Sequence, residues 1–152
     1  MTWWLALSAN AEPKYYVPEE EPPYGGTAKE AEAANCGGTQ IDINICAWRT
    51  YRATQKDLAG ASEKLETVLR GNKKELRKFR RSQEQWVRTR DSICNVEASE
   101  YDGGSMVWLV IYNCRVRENQ SRQSEIENAI ACAKLSGCKV GPQPIIPPDA
   151  AR

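Results

Sequence analysis

The chain has 152 residues, 21 Lys/Arg against 20 Asp/Glu, six cysteines and no histidine. This length allows one domain with a modest core. The absence of histidine removes the usual general base and triad member; no C-x2-C pair or phosphate-cradling glycine loop occurs either, so no catalytic residue, cofactor or metal is expected.

Residues 1–11, MTWWLALSANA, hold a short apolar run from Trp3 to Leu7 and then Ala9-Asn10-Ala11, a small-x-small cleavage pattern. They read as the remnant of an export signal. Residues 12–35 carry two lysines against six glutamates and are rich in proline, which predicts a solvated, disordered arm. The domain proper is expected over 36–138. Residues 139–152 contain four prolines and should trail as an extended tail. No stretch reaches the ~20 apolar residues that a membrane span requires.

Within the domain, Thr39 is a helix cap with Asp42 as its reciprocal partner. From there Ile41, Ile45, Trp48, Tyr51, Gln55, Leu58, Ser62, Leu65 and Leu69 recur at threes and fours, predicting one amphipathic helix to about Arg70. Gly71-Asn72 ends it. A second helix should begin near Lys73 and bury Leu76, Phe79, Gln83, Trp86 and Arg90; so short a break implies an antiparallel hairpin. Asn95 to Gly104 reads as a loop. Ser105 is the expected cap of a third helix carrying Met106, Leu109, Asn113, Val116, Gln120, Gln123, Ile126 and Ile130, and ending at Gly137. Its apolar start, MVWLVIY, is ambiguous between helix and buried strand; helix is favoured because no second strand exists to pair with it. The fold class is all-α: a long antiparallel helical hairpin plus a third helix, stapled by disulfides.

An even cysteine count in a small domain fits three disulfides formed in an oxidising compartment. Cys132 and Cys138 flank the end of the third helix and are suited to a small ring. Cys36 and Cys46 bracket the first cap. Cys94 is placed to meet Cys114 across the loop, with Cys46–Cys94 as a rival pairing that sequence does not eliminate.

Gln83, Trp86, Arg90 and Cys94 share one face of the second helix. The pattern Q-x-x-W-x-x-x-R-D-x-x-C that they form with Asp91, followed by Gly103-Gly104-Ser105 and Cys114, resembles the lysozyme inhibitor LprI-like family. After its last shared cysteine that family has Thr, Arg and an apolar residue where this chain has Asn119, Arg122 and Ile126. Upstream the chain keeps Cys36, Cys46 and Leu58 but departs from the family's Asp-x-x-Leu-Asn element and tyrosine at Gln55, Ala59 and Ser62. The resemblance covers roughly residues 36–126. It implies a cysteine-stapled helical domain, periplasmic or secreted, that binds a protein such as lysozyme or another envelope protein and catalyses nothing.

The motif residues Gln83, Trp86, Arg90, Asp91 and Arg122 are read as structural. Trp86 is expected in the core with an amide near its indole, and Arg90 along the helix stripe, paired with a loop carboxylate. The partner-binding element is expected to be the loop Tyr101, Asp102, Gly103, Gly104 and Ser105, inserted toward the cleft carboxylates of lysozyme with backbone N–H groups of its last three residues as donors. Residues 36–152 carry nineteen Lys/Arg against fourteen Asp/Glu, a balance that would repel a cationic lysozyme. An alternative rests on Lys74, Arg77, Arg81 and Arg88, a basic helix face that would associate peripherally with anionic glycan or membrane headgroups. No aromatic residues interleave with it, so nucleic acid is not an expected partner.

Overall fold

The computed structural model describes residues 33–135; the leader, the arm as far as residue 32, Cys138 and the tail from 139 lie outside the described residues. Three long helices account for most of them: α1 Gln40–Leu69, α2 Lys73–Ala98 and α3 Val107–Ala133, with a short 3-10 turn Ser99–Tyr101 between the last two. The reading of MVWLVIY as helix is borne out.

α1 begins where its cap chemistry places it. The Thr39 hydroxyl accepts from the Asp42 backbone N–H at 3.3 Å, and the Asp42 carboxylate accepts from the Thr39 N–H at 2.8 Å. Hydrogen bonds from the Thr39 side chain and then its backbone hold the Asp42 carboxyl below its ordinary pKa. The lowered value makes this contribution present in the neutral range and lost as pH falls through the folded-state value. Asn72 caps α2 by accepting from the Glu75 N–H at 3.2 Å.

The helices form an up-down-up bundle. Ser62 meets Gln83 and Glu66 meets Arg80, so α2 runs antiparallel to α1. Asn44 meets the Ser105 carbonyl and Thr54 meets Asn119, so α3 runs parallel to α1. The most extensive packing is between α1 and α3, while the hairpin partner α2 touches α1 sparsely. Toward the interior α2 presents buried Gln83 and Arg90, with Leu76, Phe79 and Trp86 only half-buried beside the apolar cluster.

Of the α1 stripe, only Ile41 is exposed; Ile45 through Leu69 are buried as expected. The core separates into two apolar clusters. One joins Ile45, Ala47, Trp48, Tyr51 and Tyr112, with the Tyr51 and Tyr112 rings stacked at 5.6 Å. The other joins Leu58, Ala61, Leu65, Leu69 and Ile126, with half-buried Leu76, Phe79 and Trp86 against it. Thr54 and Asn119 lie between the clusters along the two helices.

Several boundaries differ from the sequence expectation. α2 continues through Asn95 to Ala98, because Cys94 and Ala98 extend its buried stripe and nothing in the sequence there opposes a helix. Ser105 does not cap α3: the cap position is Met106, without a side-chain cap bond, and the Ser105 carbonyl accepts from the Asn44 side chain instead. α3 ends at Ala133 rather than Gly137. On its inner face Tyr112 and Asn119 are buried while Asn113, Gln120 and Met106 are exposed. The expected stripe took the wrong alternation of threes and fours in mid-helix, where ring stacking on Tyr51 and the bond to Thr54 select the other one.

Cys36–Cys46 and Cys94–Cys114 are disulfides, with Cα separations of 5.7 and 5.5 Å. The rival pairing of Cys46 with Cys94 is thereby excluded. Cys132 is also disulfide-bonded, and its expected partner Cys138 lies outside the described residues.

The two bonds differ in surroundings. Cys94 and Cys114 are completely buried, whereas Cys36 is exposed and the Arg49 guanidinium lies 3.2 and 3.3 Å from the Cys36 and Cys46 sulfurs. A cation there favours the departing thiolate. Titration with dithiothreitol, read by alkylation and peptide mass, should therefore modify Cys36 and Cys46 at lower reductant than Cys94 and Cys114. A second expectation concerns Gly60, in mid-helix, where an added Cβ would meet nothing within 4 Å. Gly60→Ala should raise stability by about 0.5–1 kcal/mol in urea unfolding.

Candidate functional site

The chemistry of the sequence motif turns inward. Arg90 is only 5% exposed and donates from Nη1 to Asn119 Oδ1 at 3.0 Å and from Nε and Nη2 to Asp91 Oδ1 at 2.9 and 2.8 Å. Asn119 donates onward to the Thr54 hydroxyl at 3.2 Å, and that hydroxyl donates to the Tyr51 carbonyl at 2.9 Å. Asp91 also faces Arg115 Nε at 3.3 Å. Two turns away, Gln83 donates to the Ser62 hydroxyl at 3.0 Å and accepts from Arg122 Nε at 2.7 Å. Trp86 has the Arg90 and Arg122 guanidiniums 5.3 and 5.9 Å from its ring. This polar layer joins all three helices, with Arg90 and Arg115 sharing the carboxylate of Asp91, so it supports the fold.

Three motif expectations are thus revised in detail. Trp86 packs against the second apolar cluster but is only half-buried, with two cations over its ring. Gln83 spends its amide on Ser62 and Arg122. Arg90 pairs with its own neighbour Asp91, because the adjacent carboxylate reaches it without desolvating a loop. Thr54, Tyr112 and Arg115 belong to this layer or its edge and were not singled out from sequence. The signal was present for Thr54, which lies three residues after Tyr51 on the same face.

The surface elements lie elsewhere. Tyr101 to Gly104 form a type II turn: Asp102 has φ −55° and ψ 133°, Gly103 has φ 77°, and the Gly104 N–H donates to the Tyr101 carbonyl at 2.9 Å. The third place of such a turn requires the left-handed region, which Gly103 supplies. Cys94–Cys114 lies at the base of this connection, and Asn44, itself fully buried, anchors its far side through Ser105. Tyr101 is 39% exposed, and Met106, Trp108 and Ile41 are exposed large apolar residues at the same end of the bundle. The expectation of three free N–H donors at a helix start does not hold: the Gly104 N–H is committed within the turn, and α3 starts later.

The two ends of α2 differ in charge. Residues 95–108 contain Glu97, Glu100 and Asp102 and no Lys or Arg, while residues 70–81 contain seven Lys/Arg against Glu75 alone. Arg117 reaches Glu97 at 2.7 Å, a bond that raises its pKa further. Lys74, Arg77, Arg81 and Arg88 are all exposed on α2. Among the described residues no group of His, Cys, Asp or Glu is placed to hold a metal ion, and no helix is long and apolar enough to cross a membrane.

The bonding of Arg90 carries a measurable consequence. Arg90→Met leaves Asn119 and Asp91 without their guanidinium and should lower stability by about 1–3 kcal/mol in urea unfolding. Arg90→Lys should recover little of it, because a single ammonium does not span both partners.

The sequence profile of a family described as "Lysozyme inhibitor LprI" matches residues 26–126, well over half of the chain. The chain is also similar to an uncharacterised protein of Rhizobium meliloti (strain 1021), 25% identical over 107 residues that cover 63% of this chain and 77% of that protein. No solved structure gives a significant match.

Proposed function

The chain belongs to the lysozyme inhibitor LprI family, and from that premise we propose that it is an exported, non-catalytic protein that binds a lysozyme and blocks its substrate cleft with the Tyr101–Ser105 loop. The observation that carries the loop assignment is its construction. It is an exposed turn held on one side by the buried Cys94–Cys114 bond and on the other by Asn44, so presenting it to a partner costs little ordering entropy. Tyr101 supplies a large side chain with few rotors, the kind that anchors an interface.

Local charge supports the same end. The positive balance of residues 36–152 would repel a cationic lysozyme, but that charge is concentrated away from the loop. With Glu97 paired to Arg117, Glu100 and Asp102 give the loop end a negative field where contact would occur. The cleft is blocked sterically by the turn, with Glu100 and Asp102 meeting cations on the cleft rim. Insertion of carboxylates toward the cleft's own carboxylates is unfavourable, so the turn covers the mouth and does not reach the cleft floor.

The test is lysozyme activity against cell-wall substrate with purified protein added. Inhibition is expected to weaken with rising salt. Tyr101→Ala should weaken it about thirtyfold, as for an anchor residue, and Gly103→Ala should weaken it by straining the turn. Inhibition unchanged in both variants would overturn the loop assignment, and absence of inhibition by the unaltered protein would overturn the function.

A further inference from the structure

Four of the exposed cations of α2 form a surface that neither the fold nor lysozyme binding uses. At 3.6 residues per turn, Lys74, Arg77, Arg81 and Arg88 fall within about 60° of one another around the helix. That arc lies opposite the inward stripe of Leu76, Gln83, Arg90 and Cys94. Among the described residues none of the four has an ion-pair partner, whereas Lys78 and Arg80 on flanking positions are neutralised by Glu75 and Glu66. Glu84 is the one carboxylate bordering the arc.

We propose that this face attaches the protein to an anionic phospholipid surface, lying along the headgroups and leaving the loop end clear. The distribution favours a plane of phosphates over a single polyanionic ligand. The cations are spread over about 21 Å of helix on long side chains and converge on no common point. No aromatic residue stands among them to stack a base. Three long helices hold this face rigid, and each cation can reach its own headgroup.

Orientation follows from the charge at the other end of α2. Glu100 and Asp102 lie beyond the end of α2, which itself is about 15 Å past Arg88 and still farther from Lys74, roughly two screening lengths at physiological salt from the nearest of the four cations. An anionic surface therefore attracts one end and repels the other independently. The bundle tilts so that the Tyr101–Ser105 loop stands off the surface. This inference does not depend on lysozyme inhibition, and its test does not use lysozyme.

The experiment is co-sedimentation of the full chain with vesicles containing phosphatidylglycerol, against vesicles of phosphatidylcholine alone. Binding is expected only to the anionic vesicles and should fall steeply with salt. Each neutralisation among Lys74→Gln, Arg77→Gln, Arg81→Gln and Arg88→Gln should reduce partitioning about fivefold, with helical circular dichroism unchanged. Lys56→Gln, on α1, should change it less than twofold. Equal binding to neutral vesicles, or anionic binding that survives all four substitutions, would overturn the proposal. So would retention by soluble polyphosphate as tight as by the bilayer, which would point to a polyanion in place of a membrane.

Discussion

Arg90 is the group on which the arrangement of the three helices depends. A guanidinium inside a small bundle must keep its partners, since an unpaired buried charge costs several kcal/mol. Its partners come from its own helix through Asp91 and from α3 through Asn119, which is bonded in turn to Thr54 of α1. Sliding any helix by one turn would break this chain of bonds. The Leu, Ile and Ala surfaces of the second cluster accept several registers, whereas the polar layer and the Tyr51–Tyr112 stack accept one.

That constraint reaches the surface through the disulfide. Cys94 follows Arg90 by one helical turn and meets Cys114, while Asn119 lies on the same stretch of α3. The register chosen in the interior therefore sets where α2 ends and α3 begins. The connection between them inherits that precision. Asn44 adds a third fixed point from α1, and the type II turn leaves Tyr101 and Asp102 at its rim. An interior built from polar contacts and a rigid surface loop are thus one structural device.

Charge is arranged along the bundle as well as within it. The near-neutral total conceals a basic stretch at the start of α2 and an acidic one at its end. Because α2 has 26 residues and is about 39 Å long, these fields act separately in salt. A domain with an overall positive balance can in this way offer a negative surface to one partner and a positive surface to another.

Much of this was legible in the chain itself. The Thr39 cap, the α1 stripe, the break at Gly71-Asn72 and the helical spacing of Gln83, Trp86, Arg90 and Cys94 are local patterns, and local hydrogen bonding and periodicity decide them. The family signature was equally readable, since it consists of residue types at fixed separations. What sequence left open required contacts between distant residues: which cysteine meets which, whether Tyr112 or Asn113 faces inward, and where α2 stops. The same holds for the roles of Asn44, Thr54 and Asn119, whose side chains are polar and therefore look like surface until a partner from another helix satisfies them. Tertiary structure alone showed which partners the inward motif residues take and that the loop and the basic face lie apart, because those facts depend on the direction in which each helix runs.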